Sequence, residues 1–218
     1  MKRKGMLCAI LALVLLFSAQ PVAAASANDG CTTTIVADCR LPVISVTVPS
    51  SASVYINPFQ LPVTIGETES TSQIISTPAS IANMSEVPLE VDVTVAGEVN
   101  DGSNMTLAST PTGGTGTSKN AFVYFEIQQA DSADITSVEW DPVYDVSKHI
   151  AIVNDTPVTQ QSILTLPART LAGEVAAGGY APFRLTGDAV KSPTDPWNSM
   201  DGINVTVAFT FTPLPYES

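Results

Sequence analysis

Apolar and polar residues alternate with period two along this chain. From Leu89 to Val95 it reads Leu-Glu-Val-Asp-Val-Thr-Val, and from Ile203 to Thr212 Ile-Asn-Val-Thr-Val-Ala-Phe-Thr-Phe-Thr. Ile44 to Val48 repeats the pattern as Ile-Ser-Val-Thr-Val. A strand sends successive side chains to opposite faces, so these segments predict half-buried strands of antiparallel sheets. Further strands are expected at Ser53–Ile56, Leu61–Ile65, Gln73–Ser76, Phe122–Gln128, Lys148–Val153, Ser162–Leu166 and Ala181–Thr186. Turn dipeptides separate them, among them Asn57-Pro58, Thr77-Pro78, Asp101-Gly102, Asp141-Pro142, Gly178-Gly179 and Asp201-Gly202. Several strands at short spacing predict an all-β fold, an antiparallel β-sandwich of jelly-roll or immunoglobulin-like type. Val91, Val93, Val95, Val205, Val207, Phe209 and Phe211 share the apolar parity and are expected to face one core. Thr106 to Asn120 reads as a flexible loop or long hairpin tip. Thr170 to Ala177 is the one stretch with a short helical pattern, weakened by Gly173.

The N-terminus departs from this alternation. Lys2, Arg3 and Lys4 precede an apolar run from Met6 to Phe17, and the small residues Ala23 to Ser26 follow. That order predicts a secretory signal peptide over 1–25, cleaved after Ala25. The apolar run has about a dozen residues, short of the roughly 20 needed to span a bilayer as a helix. Cys8 sits near the front of the run, away from the cleavage point, so lipidation is not expected. The C-terminal Pro213-Leu-Pro-Tyr-Glu-Ser218 is not hydrophobic, and no anchor is expected there. Residues 26–40 read as a leader and 41–218 as the sandwich domain. In an oxidising compartment Cys31 and Cys39 read as a disulfide closing the leader, a loop worth roughly 2.6 kcal/mol in the chain-entropy picture. The leader contains Thr34-Ile-Val-Ala37. Freed by cleavage, it is a candidate strand for the edge of a neighbouring copy.

Charge narrows the partners. Without the signal peptide's three basic residues, six remain against 21 acids, a net charge of about −15. Such a surface repels nucleic acid and anionic lipid. No cofactor is expected. Calcium is the metal that suits acidic loops, with Asp131 and Asp134, Asp141 and Asp145, and Asp101 with Asn104 as candidates. None has the EF-hand spacing, and turn-forming Asp is the competing reading. His149 is the single histidine, which leaves no second base for a conventional triad, and it reads as a surface or cross-strand residue. No Gly-x-Ser-x-Gly elbow, His-Glu-x-x-His motif or phosphate loop is present. Glu90 and Asp92 share one strand face about 7 Å apart, a glycosidase-like separation, but the alternation already demands a polar outer face there. Trp140 and Trp197 flank Asp-Pro turns and are candidates for stacking on a sugar ring. Tryptophans plugging the ends of a sandwich give the same pattern.

Val48-Pro-Ser-Ser-Ala-Ser-Val-Tyr-Ile-Asn-Pro58, Ile74-Ile-Ser-Thr-Pro78 and Ile81-Ala-Asn-Met-Ser-Glu-Val-Pro-Leu-Glu-Val91 form a pattern with Phe183-Arg-Leu-Thr-Gly-Asp188 and Val205 to Phe211. It resembles uncharacterised secreted proteins of Gram-positive gut bacteria. More distantly it is similar to the TasA/camelysin class of biofilm-fibre proteins, exported sandwiches that polymerise on the cell surface. The resemblance covers about a third of the chain. The cysteine pair lies outside it, and no Trp-x-Leu wall-binding motif accompanies it. It implies a surface or matrix role and carries over no catalytic residue. The expectation is therefore a non-enzymatic extracellular protein acting by contact with other surface or matrix proteins, copies of itself included. A carbohydrate-binding or adhesive module is the alternative, and a secreted glycoside hydrolase with paired carboxylates the second alternative. Within the Asn83 segment, Asn83 and Ser85 are expected to bond their own backbone in a turn, with Pro88 opening the next strand.

Overall fold

The computed structural model describes residues 43–215, apart from 51–52, 66–67, 136–137, 171 and 193. The signal peptide, the leader and the Cys31–Cys39 pair lie outside the described residues. The strands are β1 (Val46–Thr47), β2 (Val54–Ile56), β3 (Val63–Ile65), β4 (Thr68–Ser70), β5 (Ile74–Ser76), β6 (Ala79–Asn83) and β7 (Leu89–Val99). They continue with β8 (Thr106–Leu107), β9 (Asn120–Ile127), β10 (Ile150–Ala151), β11 (Val158–Leu166), β12 (Tyr180–Ala189) and β13 (Ile203–Pro213). The fold is all-β. Among the described residues there is no α-helix, and residues 172–178 form turns and bends where the sequence hinted at a helix over Thr170 to Ala177. Gly173 and Gly178 adopt positive φ there, which a helix does not tolerate.

Two sheets face each other. One runs β1-β6-β12-β9-β10, antiparallel throughout, with β8 added parallel to the start of β9. The other runs β11-β7-β13. Two small hairpin-like pairs, β2-β5 and β3-β4, flank them. The core lies between the large sheets. Val91, Val93 and Val95 of β7 are fully buried there, against Ala121, Val123 and Phe125 of β9 and Ala181, Phe183 and Leu185 of β12. An aromatic ladder crosses the interface: Phe183 lies 5.5 Å from Phe125 and 5.3 Å from Phe209 between ring centroids.

Two local features fix the register of the larger sheet. Gly187 pairs with Val123 at φ +150°, and a Cβ there would sit 1.9 Å from the Phe122 carbonyl oxygen. Only glycine permits that approach of β12 to β9. Asn83, fully buried at the end of β6, accepts the Ser85 N–H through Oδ1 at 2.8 Å, as the turn reading anticipates. Its Nδ2 also donates to the carbonyls of Val87, Leu166 and Pro167, tying the two sheets. Ser85 departs from the expectation: its hydroxyl bonds the backbone of Ser45, 40 residues away, rather than its own turn.

Candidate interaction surface

β13 is the last strand of the smaller sheet, and among the described residues only β7 pairs with it. Its register with β7 is unbroken from Ile203↔Val99 to Pro213↔Leu89. Its odd residues turn toward the core as the alternation predicts, yet all five from Ile203 to Phe211 are only half-buried. The expectation of a shared core holds for their direction and is corrected for their depth: nothing described covers the flank of β13. A cleft of about 290 Å³ opens there, lined by Val205, Val207 and Phe209 with Val48, Val54 and Leu185. The polar face of β13 presents Asn204, Thr206, Ala208, Thr210 and Thr212, without a charge.

The other sheet edges are managed differently. β1 and β10 are two residues long. β11 carries a register shift between Gln160 and Leu164, with Ser162 at φ +50° and its N–H donated to Asp92 Oδ1 at 2.8 Å. Short strands and bulges blunt edges against further pairing. β13 has neither.

On the opposite side the outer face of β9 is sealed. The chain between β9 and β10 folds over it, and Phe122, Tyr124 and Glu126 are buried beneath. Glu126 pairs with Arg184 on the neighbouring strand, accepting its Nε at 2.9 Å, and also accepts the Asp141 N–H at 2.8 Å. The Arg184 guanidinium lies 4.6 Å over the Trp140 ring. His149 stacks on Tyr124, with ring centroids 4.9 Å apart. Its Nδ1 accepts the Asp145 N–H at 2.9 Å, and its Nε2 stands 3.8 Å from Glu126 Oε1. The surface-residue reading of His149 is thus corrected: the ring is buried and braces the covering segment. Burial pushes the Tyr124 and Tyr144 phenols above their ordinary pKa, Asp145 adding to the effect on Tyr144. A polar hollow of about 300 Å³ remains beside Trp140, Glu139, Asp141, Lys148 and His149.

A third constellation closes one end of the sandwich. Lys119, just before β9, buries its ammonium 2.9 Å from Asp201 Oδ2 and 3.5 Å from Asp195. Asp201 also accepts the Ser103 hydroxyl and the Asn198 N–H, each at 2.8 Å. Burial alone would lower the Lys119 pKa, but the bonds and charges of Asp201 and Asp195 leave it raised. Burial would likewise raise Asp201; the Asn198 N–H, Lys119 and Ser103 outweigh it and hold the carboxyl below its ordinary value. The stretch expected as a flexible loop or hairpin tip, Thr106 to Asn120, begins in β8 and ends in β9, which pair in parallel, and between them Asp188 accepts the N–H groups of Thr112 and Gly113. The flexible-tip reading is corrected accordingly.

Comparison with protein-family models, curated proteins and solved structures finds no match. The site rests on geometry alone.

The two tryptophans part company. Trp197 packs against the core and donates its indole N–H to the Val190 carbonyl at 2.9 Å, so it plugs the sandwich end. Trp140 borders the polar hollow and keeps an edge toward solvent. The structure does not bring them together. Among the calcium-candidate residues, Asp141 pairs with Lys148 at 3.1 Å, and Asp145 caps its own turn through the Ser147 N–H and hydroxyl. Asn104 Nδ2 donates to Asp195. Among the described residues no three His, Cys, Asp or Glu side chains cluster for a metal, and no helix is long and apolar enough to cross a membrane. Glu90 and Asp92 lie on the outer face of β7, half-buried, in line with the solvated-face reading. Sequence reasoning missed Lys119, Asp201, Glu126 and Arg184. Glu126 had a signal: a single charge inside the apolar run Phe122–Ile127 has to find a buried partner.

Proposed function

We propose that this protein is an exported, non-enzymatic component of a cell surface or extracellular matrix, working through protein–protein contact at the flank of β13. The observation that carries the reading is the eleven-residue, unbulged, uncharged edge with its half-exposed apolar face. Unpaired strand edges of this kind template added strands, and natural sheets otherwise block them. The signal-peptide pattern and the resemblance to matrix proteins support the compartment. The non-enzymatic reading rests on the sequence, and on Glu126 and Asp201 being held by Arg184 and Lys119. Light scattering and electron microscopy of protein beginning at Ser26 test it. Association that disappears when charges are placed on β13 is the expected result; a protein that stays monomeric at high concentration, and whose β13 variants bind its surface no differently, would refute it.

A second reading, an adhesive module for carbohydrate, draws on Trp140 and its hollow. It places a sugar ring against the free part of the indole, with Glu139, Asp141 and Lys148 on its hydroxyls. Fluorescence titration of wild type and Trp140→Ala with neutral oligosaccharides separates it from the first.

A further inference from the structure

We infer that the partner at β13 is a second copy of this chain, joined by antiparallel β13–β13 pairing about a twofold axis through Val207; this rests on the contact reading above.

Three observations point to a self-match. The first is parity. In antiparallel pairing centred on Val207, Ile203 meets Phe211, Val205 meets Phe209 and Val207 meets its own mate. On the outer face Asn204 meets Thr210 and Thr206 meets Ala208. Every core-facing residue from Ile203 to Phe211 thus faces another apolar one, and the outer-face pairs are uncharged, so the strand matches itself in the isologous manner of a twofold contact. Directly opposed side chains lie within about 5.5 Å, close enough to shield the half-exposed Val205 and Phe209 and merge the two clefts into one core.

Charge is the second. The chain is acidic, with a formal net charge of −12, so most of its surface resists a like copy. β13 carries no charge from Ile203 to Pro213. The nearest acids along the sheet are Glu90, Asp92 and Glu98 of β7. Across the joined edge they stand three strand spacings from their mates, roughly 14 Å. That exceeds the Debye length of about 8 Å at physiological salt. The third is closure. After pairing, the joined sheet ends on the bulged β11 of each copy, so growth stops at two.

The experiment is sedimentation analysis of the chain from Ser26 and of the chain from Leu41, which retains every described strand. A dimer in both is the expected result. Thr206→Lys with Ala208→Lys sets four like charges face to face and is expected to weaken the dimer by about tenfold or more. Thr206→Lys with Ala208→Glu re-pairs opposite charges across the axis and is expected to restore it. Thr159→Lys on β11 leaves it unchanged. Circular dichroism confirms that each variant is folded, and the charge-reversed pair keeps the test alive if the double lysine is not. Association that needs residues 26–40 overturns the twofold pairing while leaving the contact reading in place. A monomer in both chains overturns the twofold pairing; the contact reading falls with it only if the β13 variants also bind the cell surface no differently from the wild type. A dimer indifferent to both β13 pairs overturns the twofold pairing.

Discussion

β9 and β13 line the same core from opposite sheets, and both are long and rich in aromatic or β-branched residues. Every residue of β9 after Asn120 is buried, on both faces; none of β13 is. The difference lies in what surrounds them. β9 is central, with β12 and β10 on its flanks and the segment leading to β10 across its outer face. Among the described residues β13 is flanked on one side only. Burial in this protein is therefore decided by neighbours more than by the apolar content of a strand. The closed side is held by its own neighbours, and the other leaves a strand edge unpaired among the described residues.

The sharpest way to break that comparison is to truncate one aromatic on each side. Phe125→Ala removes a fully buried ring and is expected to cost about 3–5 kcal/mol. Phe209→Ala, from the same aromatic ladder, is expected to cost about 2 kcal/mol in the monomer because its ring is only partly buried. Urea unfolding of both decides it; equal losses would mean that β13 is as well covered as β9. Next comes Gly187→Ala, which forces a methyl group against the Phe122 carbonyl. It is expected to cost roughly 3 kcal/mol through overpacking and strained φ, read as a lower urea midpoint.

The Lys119–Asp201 pair gives a pH signature. Asp201 has a lowered pKa when folded, so its stabilisation is present above the ordinary carboxylate range and is lost as pH falls through the folded value. Lys119 has a raised pKa, so its share is present below about pH 10 and is lost as pH rises beyond the folded value. Stability from this pair therefore holds across neutral pH and falls away at both extremes. Asp201→Asn is expected to lower the thermal midpoint at pH 7 and to flatten the acid limb below about pH 4. An acid limb unchanged in the variant would show that other carboxylates govern it. The smallest effect belongs to Trp140→Ala, expected to cost about 1 kcal/mol because its ring rests on a guanidinium rather than in the core. Trp197→Ala, which loses core packing and the bond to Val190, is expected to cost clearly more.

The strands with one wet face were legible in the sequence. β7 and β13 alternate because one face of each meets water, and their parity could be read residue by residue. β6 was not read as a strand: Ala79-Ser-Ile-Ala-Asn has no alternation, and its buried Asn83 looks like a turn residue until its three carbonyl partners are seen. β8 is two residues long, too short to carry a pattern. β4, Thr68 to Ser70, is polar and among the described residues pairs only with β3. The depth of β13 was beyond reach, since whether a strand sits at an edge is a property of topology. Of the site residues, Trp140 and Trp197 were legible as candidates but not distinguishable, because the bond from Trp197 to Val190 depends on how the chain end folds back. Lys119 and Asp201 are 82 positions apart, and no local spacing announces such a pair.

The pairing of β7 with β13 also sets a timetable. Val95 meets Val207 across more than half the chain, and the same strand β7 waits for β11 on its other flank. Such non-local pairs close slowly, because a long loop must be brought together before any contact rewards it. A chain emerging N-terminus first leaves that flank of β7 a bare hydrophobic edge until Ile203 to Pro213 is free. Helper proteins that hold unfinished strands apart would have their greatest effect in that interval.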